Sequence, residues 1–164
     1  MTLFFEHTVT IRVTEQQVWA KLADVEAWPT WDNSLSWCRF SSPFQSGATG
    51  TLKPSSGPET DFELINVLAN QIFDVRSKLP LGNKMIVGHQ LRPCSTGTQL
   101  THSIRFEGWL SCLFTRVIGK GLKASLPSAM DKLKANLENQ GKVSEPQHGV
   151  GRRRSPSRGS KEYE

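Results

Sequence analysis

Cysteine is scarce in this sequence of 164 residues, which contains only Cys38, Cys94 and Cys112. An odd number of cysteines excludes a framework in which every thiol is paired within the chain, and the spacing matches neither a zinc motif nor a CxxC redox pair. Free thiols are typical of a reducing compartment. Because the N-terminus also lacks the basic start and apolar run of a signal peptide, we predict a cytoplasmic protein.

Long apolar runs and familiar catalytic motifs are also missing. No segment approaches the roughly 18 consecutive apolar residues that cross a bilayer, so membrane insertion is not expected. The sequence has no nucleophile elbow, phosphate-binding loop, dinucleotide fingerprint or HExxH motif. It therefore indicates no named reaction, no cofactor and no metal, and it leaves the oligomeric state open.

The positive charge of the chain is concentrated at its C-terminal end. Residues 141–164 contain six Lys or Arg and three Glu, which contribute +3 to a net charge of +5. This segment is rich in Gly, Ser, Pro and Arg, a composition that predicts disorder. We therefore divide the chain into a folded domain, residues 1–140, and a disordered basic tail, residues 141–164. Since the excess charge belongs largely to the tail, no specific nucleic-acid partner is indicated.

The order of predicted elements is one strand, two short helices, six strands and a long helix. Residues 3–13 alternate between apolar and polar side chains, which predicts a strand with one buried face. Thr14 and Gln17 then form a capping box, which predicts the start of a helix. From residue 34 to residue 107, alternating segments are separated by turn signals about every ten residues, which is typical of antiparallel pairing.

Apolar residues recur at intervals of three and four after Gly108, which predicts one long helix over residues 109–138. Pro127 lacks a backbone donor and predicts a kink in that helix. One helix cannot cover both faces of a flat seven-stranded sheet. We therefore predict an α+β fold in which a curved antiparallel sheet wraps around the helix and leaves a hollow between them.

Two segments of the sequence resemble a known family. The first, VWAKLADVEAWPTWD at residues 18–32, resembles the opening motif of the polyketide cyclase/dehydrase-like SRPBCC proteins, which belong to the START-like, birch-allergen-like helix-grip superfamily. The second comprises THSI at residues 101–104 with GKGLKASLP at residues 119–127. The resemblance covers about residues 3–138 and implies a cavity for a hydrophobic ligand. Some relatives cyclise polyketides and others carry lipids, and one fold serves many functions.

Histidines are the candidate catalytic residues. His89 and His102 share the apolar parity of adjacent strands, and pairing across the turn at residues 93–97 places them opposite each other. Two imidazoles that titrate near pH 6.5 suit acid–base chemistry on a bound carbonyl compound. The alternative is that both are hydrogen-bonded core residues. His7 shares the inward parity of the first strand but is expected at the rim, and Asp74 is expected among the solvated charges of the outer face.

The remaining candidate site residues are apolar. Trp28 and Trp31 are predicted near the mouth of the hollow, with packing against the sheet edge as the alternative. The strands and the helix are predicted to line it together. The full set of predicted ligand-binding residues is Trp28, Trp31, Met85, Val87, His89, Leu100, His102, Ile104, Phe106, Val117, Ile118 and Leu122.

Three functions are compatible with these patterns. The favoured one is non-catalytic binding of a small hydrophobic molecule that is lipid-like, polyketide-like or aromatic, because no catalytic motif accompanies the cavity. The second is a cyclase or dehydratase that uses His102 and His89. The third is an interaction protein that acts through its basic tail. A cavity with several convergent polar groups favours the enzyme, and an entirely apolar cavity favours the carrier.

Overall fold

The computed structural model describes residues 2–143, and the predicted tail lies almost entirely outside them. It confirms the predicted order of elements. These are β1 (Thr2–Ile11), α1 (Glu15–Ala23), a 3₁₀ helix (Val25–Thr30), β2 (Leu35–Phe40), β3 (Thr49–Pro54), β4 (Thr60–Leu68), β5 (Ile72–Lys78), a 3₁₀ turn (Pro80–Gly82), β6 (Lys84–Cys94), β7 (Gly97–Glu107), α2 (Ser111–Phe114), a π-helical segment (Thr115–Gly119) and α3 (Lys120–Val143).

The seven strands form one antiparallel sheet in the order β1-β7-β6-β5-β4-β3-β2. Strands β2 to β7 lie side by side in the order of the sequence, and each is joined to the next by a short connection. Strand β1 instead pairs with β7, so that α1 and the 3₁₀ helix that follows it bridge the two edges of the sheet. The predicted capping box is present, since the backbone N–H of Gln17 bonds the Thr14 hydroxyl and the Gln17 side chain accepts from the Thr14 N–H.

The core fills the concave side of the sheet beneath the long helix. Alternate residues of each strand point to this side, and α3 covers them with an apolar stripe. The buried helix residues are Leu126, Ala129, Met130, Leu133 and Leu137. The fold is therefore the predicted curved sheet that grips a C-terminal helix.

The C-terminal helix contains a π-helical turn that the sequence did not predict, and the kink expected at Pro127 stays a prediction. It runs from Ser111 to Val143 and passes through Pro127, and its π-helical turn lies at Thr115–Gly119. A Cβ on Gly119 would lie 2.7 Å from the Phe4 ring, so glycine allows the helix to approach β1 here. The helix also continues beyond residue 140, where the domain boundary was predicted.

The outer face of the sheet contains one buried carboxylate that was predicted to be solvated. Asp74 is only 4% exposed. Its Oδ2 accepts hydrogen bonds from Asn66 Nδ2 at 2.9 Å and from Arg105 Nη2 at 3.1 Å. Register places Gly88 beside it, where the absence of a side chain leaves room for the carboxylate. The prediction for Asp74 is wrong because strand parity alone does not show that long neighbouring side chains cover it.

Candidate functional site

Three histidines form a row across adjacent strands on the concave side of the sheet. His89 on β6 pairs with His102 on β7, as the sequence predicted, and His102 pairs with His7 on β1. The rings of His89 and His102 meet edge to face, with centroids 4.2 Å apart at an angle of 73°. The row continues onto β5, where Phe73 stacks on His89 at 4.1 Å. His7 thus lies in line with the other two histidines, and it is only partly buried on the edge strand, in agreement with the rim position predicted for it.

Aromatic rings surround this row on the helix side. Trp19 from α1 and Phe44 from the β2–β3 connection contact Phe73 edge to face, at 5.6 Å and 5.0 Å between centroids. Trp31 approaches His102 at 6.5 Å. Sequence analysis missed Phe73, Trp19 and Phe44 as neighbours of the histidines, because only the strand register and the packing of α1 bring them there.

Trp28 and Trp31, which the sequence treats alike, have different surroundings. Both are buried. Trp28 donates its indole N–H to the Leu22 carbonyl at 2.8 Å and packs against Phe62, so its polar atom is satisfied within the protein. The indole N–H of Trp31 has no hydrogen-bond partner.

Unpartnered polar atoms are concentrated at these residues. Among the described residues, five buried side-chain nitrogen or oxygen atoms lack a hydrogen-bond partner, and four of them are Trp31 Nε1, His89 Nδ1, His102 Nδ1 and His102 Nε2. The fifth is Arg105 Nε, which lies on the outer face. A buried polar group that lacks a partner typically destabilises a protein by about 1–3 kcal/mol. Backbone groups of Phe73 and Val87 interact with the His89 ring and partly offset its desolvation. The three atoms of Trp31 and His102 therefore mark the place best suited to a polar group from outside the chain.

Burial changes the acid–base properties of the two central histidines. Desolvation lowers the pKa of His89 from 6.5 to about 3. Desolvation also lowers the pKa of His102 well below its ordinary value, and the neighbouring His89 and His7 add to that effect. The assumption that both imidazoles titrate near pH 6.5 is therefore wrong. Both rings are neutral at physiological pH, and each neutral imidazole presents one N–H donor and one acceptor nitrogen.

Apolar residues extend the concave surface away from the histidines. Leu100, Ile104 and Phe106 on β7 are buried, as the sequence predicted. Four further predicted residues point to the same side but are only partly buried, namely Met85, Val87, Ile118 and Leu122. Val87 sits in the middle of the sheet between Val75 and Ile104, which are both buried. Partial exposure at such a central position shows that the helix does not pack tightly over it.

Val117 does not belong to this surface. Its side chain is 70% exposed, so its predicted inward orientation is wrong. The inner side of the first helical turns is formed by residues spaced four apart, Phe114, Ile118 and Leu122. This spacing turns Val117 outward, whereas the sequence pattern alone allowed both Val117 and Ile118 to face the sheet.

A comparison with protein families agrees with this architecture. Residues 3–138 match the family model described as "Polyketide cyclase / dehydrase and lipid transport". The chain belongs to this family. A search of curated proteins finds no match.

Solved structures share the fold of this polyketide cyclase/dehydrase family member. Ara h 8.0201 is 10% identical, with a TM-score of 0.65 over 82% of this chain and 97% of that one. Protein MLL2253 from Mesorhizobium loti is 18% identical, with a TM-score of 0.65 over 83% and 96%. The di-domain ARO/CYC StfQ from the steffimycin biosynthetic pathway is 13% identical, with a TM-score of 0.68 over 85% and 51%. At such low identities these similarities establish the helix-grip fold alone.

Other parts of this family member contain fewer groups that could react or bind a ligand. Within residues 2–143, no three His, Cys, Asp or Glu side chains are grouped so that they could hold a metal ion. Burial, with a smaller contribution from Asp32, raises the pKa of Cys38 to about 12, so this thiol is unreactive. A groove of about 880 Å³ at the β3–β5 side of the sheet is lined partly by charged residues and partly by neutral ones such as Phe40 and Phe62. Two of its charged pairs neutralise each other, Arg76 with Glu63 at 2.6 Å and Lys78 with Asp61 at 3.8 Å.

Proposed function

We propose that this protein binds a small, mainly apolar molecule between the concave side of the sheet and the first turns of the C-terminal helix, and that the molecule carries at least one hydrogen-bonding group. The observation that carries the proposal is the cluster of three unpartnered polar atoms on Trp31 and His102, beside the ring of His89. An internal site that binds such ligands typically has apolar walls and a few polar groups that fix orientation.

The chemistry of the cluster favours a neutral polar group on the ligand. Trp31 offers only a donor, whereas the neutral ring of His102 offers one donor and one acceptor. The lowered pKa values of His89 and His102 mean that neither ring supplies a positive charge at physiological pH. A phenol, alcohol or ketone therefore matches the cluster better than a carboxylate does.

The apolar part of the ligand would lie along the partly buried residues of the same surface. Met85, Val87, Ile118 and Leu122 are apolar and incompletely covered, which supports space for a ligand beside them. Each fully covered side chain of this size contributes about 1.5–3 kcal/mol relative to exposure. A flat aromatic or lipid-like body would bury them and leave its polar end at the histidines.

A pair of matched ligands tests this proposal. 1-Naphthol and naphthalene differ by one hydroxyl group, and one net hydrogen bond of about 1 kcal/mol predicts about fivefold tighter binding of naphthol. His102→Phe keeps a ring of similar size but removes both polar atoms, so it should abolish this preference and leave naphthalene binding unchanged. Thr101→Val, on the outer face of the same strand, is the control. A preference for naphthol that survives in His102→Phe, or no binding of either compound, would overturn the proposal.

A second candidate function is a cyclase or dehydratase that acts on a polyketide-like substrate. The contact between two neutral imidazoles, with ring centroids 4.2 Å apart and free acceptor nitrogens, favours it. A neutral imidazole is able to accept a proton from an activated carbon, but the lowered pKa values make both rings weak bases at neutral pH, which counts against this candidate. Loss of a general base usually lowers turnover by about 100-fold or more. Under this hypothesis, His102→Ala retains binding of a poly-β-ketone analogue and loses turnover. Unchanged turnover would eliminate the enzyme hypothesis.

A further inference from the structure

Large apolar side chains are exposed mainly in two neighbouring segments. Five large hydrophobic residues in the described part of the chain have exposed fractions between 50% and 75%. Four of them belong to the 3₁₀ turn before β6 or to the beginning of the C-terminal helix. These four, Leu81, Trp109, Leu113 and Val117, are called the apolar face below. The fifth, Leu68, ends β4.

Hydrogen bonds hold the two segments of the apolar face together. Trp109 Nε1 donates to the Leu81 carbonyl at 3.2 Å. The buried side chain of Asn83 donates to the Pro80 and Leu81 carbonyls and accepts the backbone N–H of Leu110 at 2.9 Å. Because one buried amide fixes both segments, the apolar face is a preorganised surface.

Basic side chains accompany the apolar face. Arg116 and Lys120 are exposed, and each lies three residues after an apolar residue of the face, Leu113 and Val117 respectively. Residues three apart on a helix are neighbours on its surface. Residues 108–130 contain no Asp or Glu, so no acidic side chain of this segment neutralises these two charges.

We propose that the apolar face docks onto the surface of a lipid bilayer that contains anionic lipids. An indole with an apolar body and a polar tip suits the boundary between headgroups and acyl chains. Basic side chains beside an apolar helical row are attracted to anionic headgroups. A second copy of the chain fits less well, because a two-fold contact brings the two basic rows together.

Docking at the surface requires no insertion of a spanning segment. No helix within residues 2–143 is long and apolar enough to cross a membrane. The inner side of the docking turns carries Phe114 and Ile118, which border the proposed ligand site. The bilayer would therefore lie on the opposite side of the helix from that site. Docking itself does not depend on ligand binding.

Vesicle co-sedimentation of the full chain tests the proposal. Phosphatidylcholine vesicles with and without phosphatidylglycerol are compared, and binding is expected to increase with the anionic lipid. Leu113→Asp combined with Val117→Asp should lower partitioning by at least about tenfold, because each change removes an apolar side chain from the contact. Arg116→Gln and Lys120→Gln should each lower it by about fivefold on anionic vesicles. Leu68→Asp is the matched control and should have no effect.

The position of Trp109 supplies an independent measurement. Brominated lipids should quench the fluorescence of the bound protein, and Trp109→Phe should remove most of that quenching while binding persists. If the double aspartate variant binds as well as the parent protein, the basic residues elsewhere in the chain are responsible and the proposal is overturned. Failure to bind any vesicle also overturns it, as does self-association that the double variant abolishes.

Discussion

The two halves of the C-terminal helix differ in how they contact the rest of the protein. The second half buries Leu126, Met130 and Leu133 in the core. The first half covers its inner residues only in part and exposes Leu113 and Val117. One continuous helix thus serves as an anchor at one end and leaves its other end available for contacts with ligands or surfaces.

Polar contacts reinforce the difference. In the second half, Lys132 Nζ bonds Asn33 Oδ1 at 2.9 Å, and Glu138 accepts the backbone N–H of Arg12 at 2.9 Å. The first half contains the π-helical turn at Thr115–Gly119. Turns of this kind occur often at functional sites. The comparison teaches that the stability of this domain and its proposed function depend on different parts of the same element.

The largest expected effect is a difference in stability between the two halves. Leu133→Ala removes a fully buried side chain and should lower the free energy of unfolding by about 3 kcal/mol, within the usual range for such changes. Ile118→Ala, in the partly buried half, should cost only about 1 kcal/mol because less of its apolar area is buried in the folded protein. Urea denaturation measures both. Equal losses would mean that the first half is packed as tightly as the second.

The next effect concerns the histidines beneath the first half. The pKa of His89 is 6.5 in the unfolded chain and about 3 in the folded one, so between these values the unfolded state binds more protons. The free energy of unfolding should therefore decrease as the pH is lowered below about 6.5. At about pH 5 the loss should reach about 2 kcal/mol for His89 alone. His102, whose pKa is also lowered, acts in the same direction.

Replacement of a histidine tests this pH dependence. His89→Gln should reduce the slope of stability against pH between about pH 6.5 and about pH 5, whatever its effect at neutral pH. Thr101→Val should leave the slope unchanged. An unaltered slope in His89→Gln would show that the ring is protonated in the folded protein and that its surroundings are wetter than the structure indicates.

Two glycines at the junction of the halves allow a smaller and sharper test. A Cβ on Gly119 would press against the Phe4 ring, so Gly119→Ala should destabilise the protein by about 1–3 kcal/mol. Gly121 has open space around it, so Gly121→Ala should stabilise the helix by about 0.5–1 kcal/mol. Thermal unfolding measures both changes. Opposite signs are expected, and two stabilising changes would show that the helix does not approach β1 closely.

The smallest effect is expected from removal of the segment that follows the second half of the helix. Deletion of residues 144–164 should change the free energy of unfolding by no more than about 0.5 kcal/mol, because their composition does not favour a packed core. Circular dichroism during heating measures the change. A loss of several degrees in the melting temperature would show that the stability of the domain depends on this segment. It would also revive the hypothesis that the basic tail carries the function.

Local pattern was sufficient for most of the architecture. The alternation in β1, the capping box at Thr14 and the spacing of apolar residues after Gly108 each depend on neighbours in sequence, so all three could be predicted. The pairing of His89 with His102 followed from the same rule, since two strands joined by a tight turn match their apolar faces. The family motif at residues 18–32 agreed with this fold.

Contacts between distant segments could not be predicted in the same way. Trp28 and Trp31 are three residues apart and equivalent in sequence, yet one indole N–H bonds Leu22 and the other lies near His102 without a partner. Pairing of β1 with β7 brought His7 into the histidine row, and long side chains covered Asp74. Each of these outcomes depends on which elements are packed together.

The sequence by itself determined the order of the elements, the antiparallel sheet and its register at β6–β7, because hydrophobic periodicity and turn chemistry are local. Only the tertiary structure decided that His89 and His102 are neutral, because desolvation depends on everything that surrounds a side chain. It also decided that Val117 faces outward. A helical stripe wide enough to include Val117 and Ile118 does not reveal which of the two will meet the sheet until the helix is docked.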